Sequence, residues 1–121
     1  MLTYRQTTGS ISLIDDTWGY GYSGQPPYKN DPAAQDKPDL GPLPCGLWHI
    51  VGVHYRHESL GPYVMNLEPE PQTTTFGRSS FRIHGDSISK PGYASHGCLV
   101  FSRPLRTRIW ESGDRDIWVK A

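Results

Sequence analysis

The chain has 121 residues, a length that fits one compact domain over residues 1–121 with a single hydrophobic core. Its 12 Lys and Arg residues balance its 12 Asp and Glu residues, and no basic or acidic run interrupts the mixture, which excludes electrostatic capture of nucleic acid or an anionic membrane. No apolar stretch approaches the roughly 20 residues that cross a bilayer, so membrane insertion is not expected.

Short alternating segments between frequent turns predict a mainly β domain. Glycine (13 residues) and proline (11 residues) are plentiful, and aromatic and β-branched residues cluster between them. The predicted strands cover residues 2–6, 10–14, 18–22, 48–53, 63–67, 80–84, 98–102 and 116–120. These strands are numerous enough for a β-sandwich or a closed barrel.

A long segment between the third and fourth predicted strands has a different composition. Residues 23–44 are rich in Pro, Gly, Asn, Asp and Gln and contain almost no large aliphatic residues, which predicts a loop with turns. Loops of this length either border a functional cleft or are irregular packed connections, and both interpretations stay open.

One short helix is predicted near the end of the chain. Ser102 can cap it, Pro104 suits its first turn, and Gly113 follows its end. Leu105 and Ile109 have the i, i+4 spacing of a single apolar face. We expect this helix to cover the core beneath the residues that precede it.

The tetrapeptide Ser95-His96-Gly97-Cys98, with His84 upstream, carries the clearest chemical signal. A thiol attacks as thiolate, and at an ordinary pKa of about 8.5 it needs a nearby base near neutral pH. Glycine before the cysteine permits a sharp turn that exposes the sulfur and directs backbone N–H groups at a carbonyl oxygen. The pattern predicts acyl transfer by Cys98, and spacing alone leaves either histidine as the base.

Structural, disulfide and metal-binding roles are the alternatives for the cysteines. Cys45 has no histidine within three residues and fits a small buried hydrophobic side chain, and a bridge from Cys45 to Cys98 would consume the nucleophile. Zinc could in principle bind His84, His96 and Cys98, but the chain has no Cys-x-x-Cys or His-Glu-x-x-His motif. We therefore expect no metal and no other cofactor.

The same residues carry a resemblance to a known family. Residues 77–86, GRSSFRIHGD, followed by residues 94–98, ASHGC, resemble the L,D-transpeptidase superfamily, and more narrowly its small L,D-transpeptidase-like effectors delivered by type VI secretion systems. Weaker similarities are spread along the rest of the chain, from near its start to near its end. They lie at residues 4–9, 21–24, 29–32, 41–44, 61–65 and 112–114.

The resemblance implies an L,D-transpeptidase-like β-sandwich or barrel that acts on peptidoglycan stem peptides. In that family's chemistry Cys98 would attack the carbonyl, and His84 would take the thiol proton and later protonate the leaving D-alanine amine. The Gly85 carbonyl would orient the imidazole, and His96 would shape the pocket. The backbone N–H groups of Gly97 and Cys98 would hold the oxyanion.

The predicted substrate-binding residues are Arg78, Tyr93, Ser95 and Arg103. Guanidinium groups match the two oxygens of a carboxylate, which makes the arginines candidates for the stem peptide's carboxylates. Arg82 is a further candidate for the same role, with an ordinary ion pair as an equal alternative, and Arg78 is the preferred binder.

The resemblance also implies a biological setting. The first residues lack the pattern of a secretory signal, so we expect a protein made in the cytoplasm and delivered by a secretion machine to the periplasm of a target cell. The expected partners are a cognate immunity protein and a delivery component of the apparatus. The alternatives are a housekeeping or phage-encoded L,D-transpeptidase or wall hydrolase, and a non-catalytic wall-binding module.

Overall fold

A computed structural model describes all 121 residues and contains one nine-stranded sheet, a 3₁₀ turn at Pro32–Ala34 and one α-helix, α1, at Arg103–Glu111. The strands are β1 Leu2–Arg5, β2 Ser10–Leu13, β3 Asp16–Tyr20, β4 Tyr22–Ser23, β5 Gly46–His57, β6 Gly61–Pro69, β7 Arg82–His84, β8 Leu99–Val100 and β9 Asp116–Lys120. The predicted mainly β architecture is confirmed. No helix in the structure has the length and apolar character needed to span a bilayer.

The sheet is nearly closed into a barrel. Its strand order is β3-β2-β1-β9-β5-β6-β7-β8-β4, with parallel pairing of β1 with β9 and of β7 with β8. The two edge strands, β3 and β4, are joined through Gly21 alone, so the two edges of the sheet must meet. The N–H of Gly21 donates to the Gly9 carbonyl at 2.8 Å, and a Cβ on Gly21 would lie 2.0 Å from the Val100 oxygen.

Most predicted strands are present with changed limits. Residues 116–120 form β9 as predicted, whereas the single strand predicted at residues 18–22 is divided between β3 and β4. β5 and β6 are longer than predicted because they form an extended antiparallel hairpin. The predicted strands at residues 80–84 and 98–102 shorten to β7 and β8, and single backbone hydrogen bonds continue the pairing at Phe81 and Phe101.

The core fills the barrel and the space beneath α1. Trp48 and Ile117 have no exposed surface, and strict alternation along β9 leaves Trp118 41% exposed on the other face. The helix contributes Leu105 and Ile109 to this core, as their spacing predicts. Its predicted cap is also confirmed, because the Ser102 hydroxyl accepts a hydrogen bond from the Leu105 N–H at 3.4 Å.

Candidate active site

Parallel pairing of β7 and β8 brings the cysteine segment beside the histidine segment. In the register of this pair Ile83 faces Leu99, so Cys98, one residue before β8, comes next to Arg82. The Arg82 N–H donates to the Cys98 Sγ at 3.3 Å. A backbone donor therefore already faces the sulfur, where it favours the thiolate over the thiol.

Cys98 and both motif histidines line a cavity of about 300 Å³. Its lining includes Asp39, Ser80, Arg82, His84, His96 and Cys98. The Cys98 side chain is partly exposed, so a carbonyl entering the cavity can reach the sulfur. The structure thus brings the predicted nucleophile and both candidate bases to one site.

The environment of His84 favours a neutral imidazole with one defined tautomer. His84 is 2% exposed, and its Nδ1 lies 2.7 Å from the Gly85 carbonyl oxygen. A carbonyl only accepts, so Nδ1 carries the proton and Nε2 keeps a free lone pair. Burial lowers the pKa of His84; the hydrogen bond to the Gly85 carbonyl opposes this effect, and the positive charge of Arg106 adds to it. His84 can therefore accept a proton at neutral pH.

The thiol of Cys98 also rests in its neutral form. Burial raises the pKa of Cys98, and the opposing influence of the Arg82 N–H and of the charges on Arg82 and Arg78 is smaller. The resting pair is consequently thiol and imidazole, rather than thiolate and imidazolium. Such a pair suits general-base catalysis, in which the proton moves as the sulfur attacks.

The turn before Cys98 has the strained geometry that only glycine adopts readily. Gly97 has a φ of +133°, and a Cβ there would lie 2.4 Å from the Arg78 Nη2. Of the two predicted oxyanion donors, the Gly97 N–H donates to the Ser95 Oγ at 3.2 Å. The Cys98 N–H makes no hydrogen bond within the chain, so it is the donor available to a ligand.

Ser95 lies beneath the cavity rather than on its wall. Its side chain is fully buried, and its Oγ accepts from the Gly24 N–H at 2.8 Å and donates to the Cys98 carbonyl at 2.6 Å. Nearby, the Ser23 hydroxyl donates to the Gly97 carbonyl at 3.1 Å. These bonds tie the cysteine turn to the start of the long loop, and a direct contact of Ser95 with substrate stays a prediction.

Arg78 binds the second half of the long loop at residues 23–44. Its guanidinium donates to the carbonyl oxygens of Gln35 at 2.7 Å, Pro42 at 2.8 Å and Gly41 at 2.9 Å, and to that of His96 at 3.3 Å. The donors that would pair with a substrate carboxylate are thus occupied by backbone. The structure gives Arg78 a scaffolding role, and its role in substrate binding stays a prediction.

The long loop forms part of the cavity wall. The Asp39 carbonyl oxygen lies 3.1 Å from the His96 Nδ1, and Asp39 itself borders the cavity. Of the two interpretations left open by the sequence, the structure therefore favours a loop at a cleft. The exposed His96 is held by one carbonyl, whereas His84 is both buried and oriented.

The remaining predicted binding residues lie outside the Cys98 cavity. Tyr93 is 50% exposed, and its carbonyl accepts from the Gln25 side chain. Arg103 begins α1 and borders a different cavity. The sequence reasoning missed Arg106, a buried arginine beside Gly85, because nothing in its local pattern distinguishes it from a surface residue of the helix.

Both cysteines are free. The Cys45 thiol donates to the Gln6 Oε1 at 3.3 Å, and burial raises its pKa. This environment fits the structural role predicted for Cys45. No three His, Cys, Asp or Glu side chains come together in an arrangement suited to a metal ion.

Comparison with known families assigns the chain on the basis of most of its length. The family model of the Tlde1 domain matches residues 19–115, which include β4 to α1 and every residue of the cavity. The chain belongs to the Tlde1 domain family. This is a type VI secretion effector family, so the predicted effector identity is confirmed at the level of the Tlde1 domain. No curated protein sequence matches the chain significantly. The relationship of this Tlde1 domain to the L,D-transpeptidases stays a prediction.

Proposed function

We propose that the Tlde1 domain is a cysteine-dependent peptidoglycan-modifying enzyme, with L,D-carboxypeptidase and L,D-transpeptidase exchange activity on tetrapeptide stems. One observation carries the proposal. A partly exposed Cys98 shares a cavity with His84, whose Nδ1 is bound to the Gly85 carbonyl and whose Nε2 is free to take a proton. This combination supports acyl transfer, and the resemblance of the motif supports the stem-peptide substrate.

The first half of the proposed reaction forms a thioester. His84 Nε2 takes the proton of the Cys98 thiol as Sγ bonds to the carbonyl carbon of the diaminopimelate residue. The negative charge develops on the carbonyl oxygen, which the Cys98 N–H can meet, and each such donor typically contributes about 3 kcal/mol. The tetrahedral intermediate collapses, the bond to D-alanine breaks, and His84 returns its proton to the leaving amine.

The second half releases the acyl group. Water attacks the thioester, His84 takes a proton from it, and the products are the shortened stem carboxylate and the Cys98 thiol. A D-amino acid or the amine of another stem can take the place of water, which gives exchange or cross-linking instead. The neutral resting state of both side chains fits this cycle, because His84 acts first as base and then as acid.

The proposed setting is the periplasm of a target cell, where stem peptides are accessible to a delivered effector. The family supports delivery by a type VI secretion system. A toxin of this kind calls for an immunity protein that fills the Cys98 cavity, and for a component of the apparatus that carries it. We propose both partners because the chain belongs to an effector family.

The decisive experiment is product analysis on purified sacculi and tetrapeptide muropeptides by mass spectrometry. We expect D-alanine release by the wild-type protein and by Cys45→Ala, and none by Cys98→Ala. Cys45→Ala is the matched control, since it removes the other free thiol of the chain. Intact muropeptides that bind with measurable affinity would instead favour the wall-binding module.

The same assay identifies the base. His84→Ala should abolish trapping of the thioester, whereas His96→Ala should leave a residual amount, because His96 is exposed and held by a single loop carbonyl. The reverse order would make His96 the base.

A further inference from the structure

A second cavity of about 490 Å³ lies beside the Cys98 cavity. It is lined by Gly85, which follows His84, and by Arg103 and Arg106 from the first turns of α1. Leu60 borders both cavities, which places them next to each other on the surface. The chemistry of this second cavity is set by two cations.

Arg106 is a buried cation without a carboxylate partner. It is 4% exposed, and its guanidinium donates to the carbonyls of Tyr63 at 3.0 Å, Phe101 at 2.6 Å and Pro62 at 3.1 Å. These bonds use three of the five N–H groups of a guanidinium. No carboxylate lies within 4 Å of Arg106. Carbonyl oxygens satisfy part of its hydrogen bonding but leave its charge unneutralised.

A second source of positive potential faces the same cavity. Arg103 is exposed, has no carboxylate partner, and begins a helix whose first turn contains no acidic residue. The N-terminus of that helix adds its own partial positive charge. Asp86 is the one acid in the lining, and its carboxylate accepts from the Tyr22 hydroxyl at 2.5 Å and from the N–H groups of Ser87 and Gly92.

We propose that this cavity binds a carboxylate of the stem peptide remote from the scissile bond. The inference rests on the proposed function for the identity of the ligand. Arg106 forms the charged floor of the subsite, and Arg103 closes over the bound carboxylate from the rim. Binding there would hold the peptide so that its scissile carbonyl lies in the Cys98 cavity.

The first test needs no catalysis. Cys98→Ala protein, labelled with ¹⁵N, is titrated with sodium acetate, acetamide and sodium chloride while the Arg Nε–H and Gly85 N–H signals are followed by NMR. Acetate alone should shift the signals of Arg103, Arg106 and Gly85. If acetate moves them no more than acetamide or chloride does, the anion subsite is refuted, whatever the enzyme's activity.

The second test links the subsite to the stem peptide. Arg103→Gln should raise KM for the tetrapeptide muropeptide about tenfold with kcat changed less than twofold, the expected loss of one charge-assisted hydrogen bond. Arg108→Gln is the matched control on the same helix, because that guanidinium lies over Trp18 and 3.8 Å from Asp16, and its KM should stay within twofold. Equal KM values for the two variants would overturn the inference while leaving the proposed function intact.

Two further outcomes separate the proposals. Arg106→Gln should weaken acetate binding more than Arg103→Gln does, and if its lost carbonyl bonds prevent folding, Arg103→Gln carries the test alone. If acetate shifts these signals but the wild-type protein cleaves no muropeptide, the anion subsite stands and the enzymatic proposal is refuted.

Discussion

Removal of one hydroxyl, in Ser95→Ala, tests how the cysteine turn is held. The Ser95 Oγ bonds to three backbone groups, the N–H of Gly24, the N–H of Gly97 and the carbonyl of Cys98. Gly24 and Gly97 are buried, so their N–H groups lose a partner that water cannot readily replace. Each unsatisfied buried group costs about 1–3 kcal/mol, and we expect a total loss of about 3 kcal/mol in the free energy of unfolding.

The assay is thermal and urea unfolding followed by tryptophan fluorescence. For a domain of this size a loss of about 3 kcal/mol lowers Tm by about 10 °C. Ser59→Ala is the matched control, because Ser59 is exposed and its Oγ lies 3.5 Å from His57, so its effect should stay within about 0.5 kcal/mol. A loss below about 1 kcal/mol for Ser95→Ala would refute the claim that this hydroxyl holds the turn to the long loop.

Three further predictions concern protons and backbone strain. Because burial lowers the pKa of His84, kcat/KM should stay constant between pH 7 and the ordinary histidine pKa of about 6.5 and should decrease only at lower pH. Because burial raises the pKa of Cys98, the rate of its alkylation by iodoacetamide should increase only at a pH above the ordinary cysteine pKa of about 8.5. A profile that loses half its activity at pH 7 would contradict the neutral pair. The carboxylates of Glu70 and Asp116 bind His49 and raise its pKa. The protonated His49 therefore stabilises the fold below pH about 6.5, and this contribution is lost as the pH rises through the raised pKa. His49→Gln should lower Tm more at pH 5.5 than at pH 9. Gly97→Ala should lower the free energy of unfolding in urea more than Gly61→Ala does. Both glycines have a positive φ, but only a Cβ at Gly97 would clash with the Arg78 side chain. Equal losses for the two variants would contradict that clash.

Local patterns predicted those parts of the fold that depend on neighbours in the chain. The cap, first turn and apolar face of α1 are all written within residues 102–113, and β9 alternates buried and exposed residues along its own length. Gly97 was recognisable for the same reason, because a positive φ before Cys98 favours glycine whatever the rest of the fold does.

The features that the sequence did not predict depend on contacts between distant segments. The strand predicted at residues 18–22 divides at Gly21 because the two edges of the barrel meet there, which no local pattern records. Arg78 and Arg106 are both bound by backbone carbonyls of other segments. Since every residue carries a carbonyl, the sequence does not indicate which ones will face a guanidinium.

The sequence by itself determined the β class and the helix after Cys98, and it singled out Cys98 as the candidate nucleophile and His84 and His96 as candidate bases, because each depends on residue type or short-range spacing. Only the tertiary structure decided that His84 is the buried and oriented histidine, that Ser95 lies under the cavity, and that Arg106 is a cation without a counter-ion. Burial and hydrogen-bond partners come from segments far apart in the chain, so the local sequence around each histidine, serine or arginine does not reveal them.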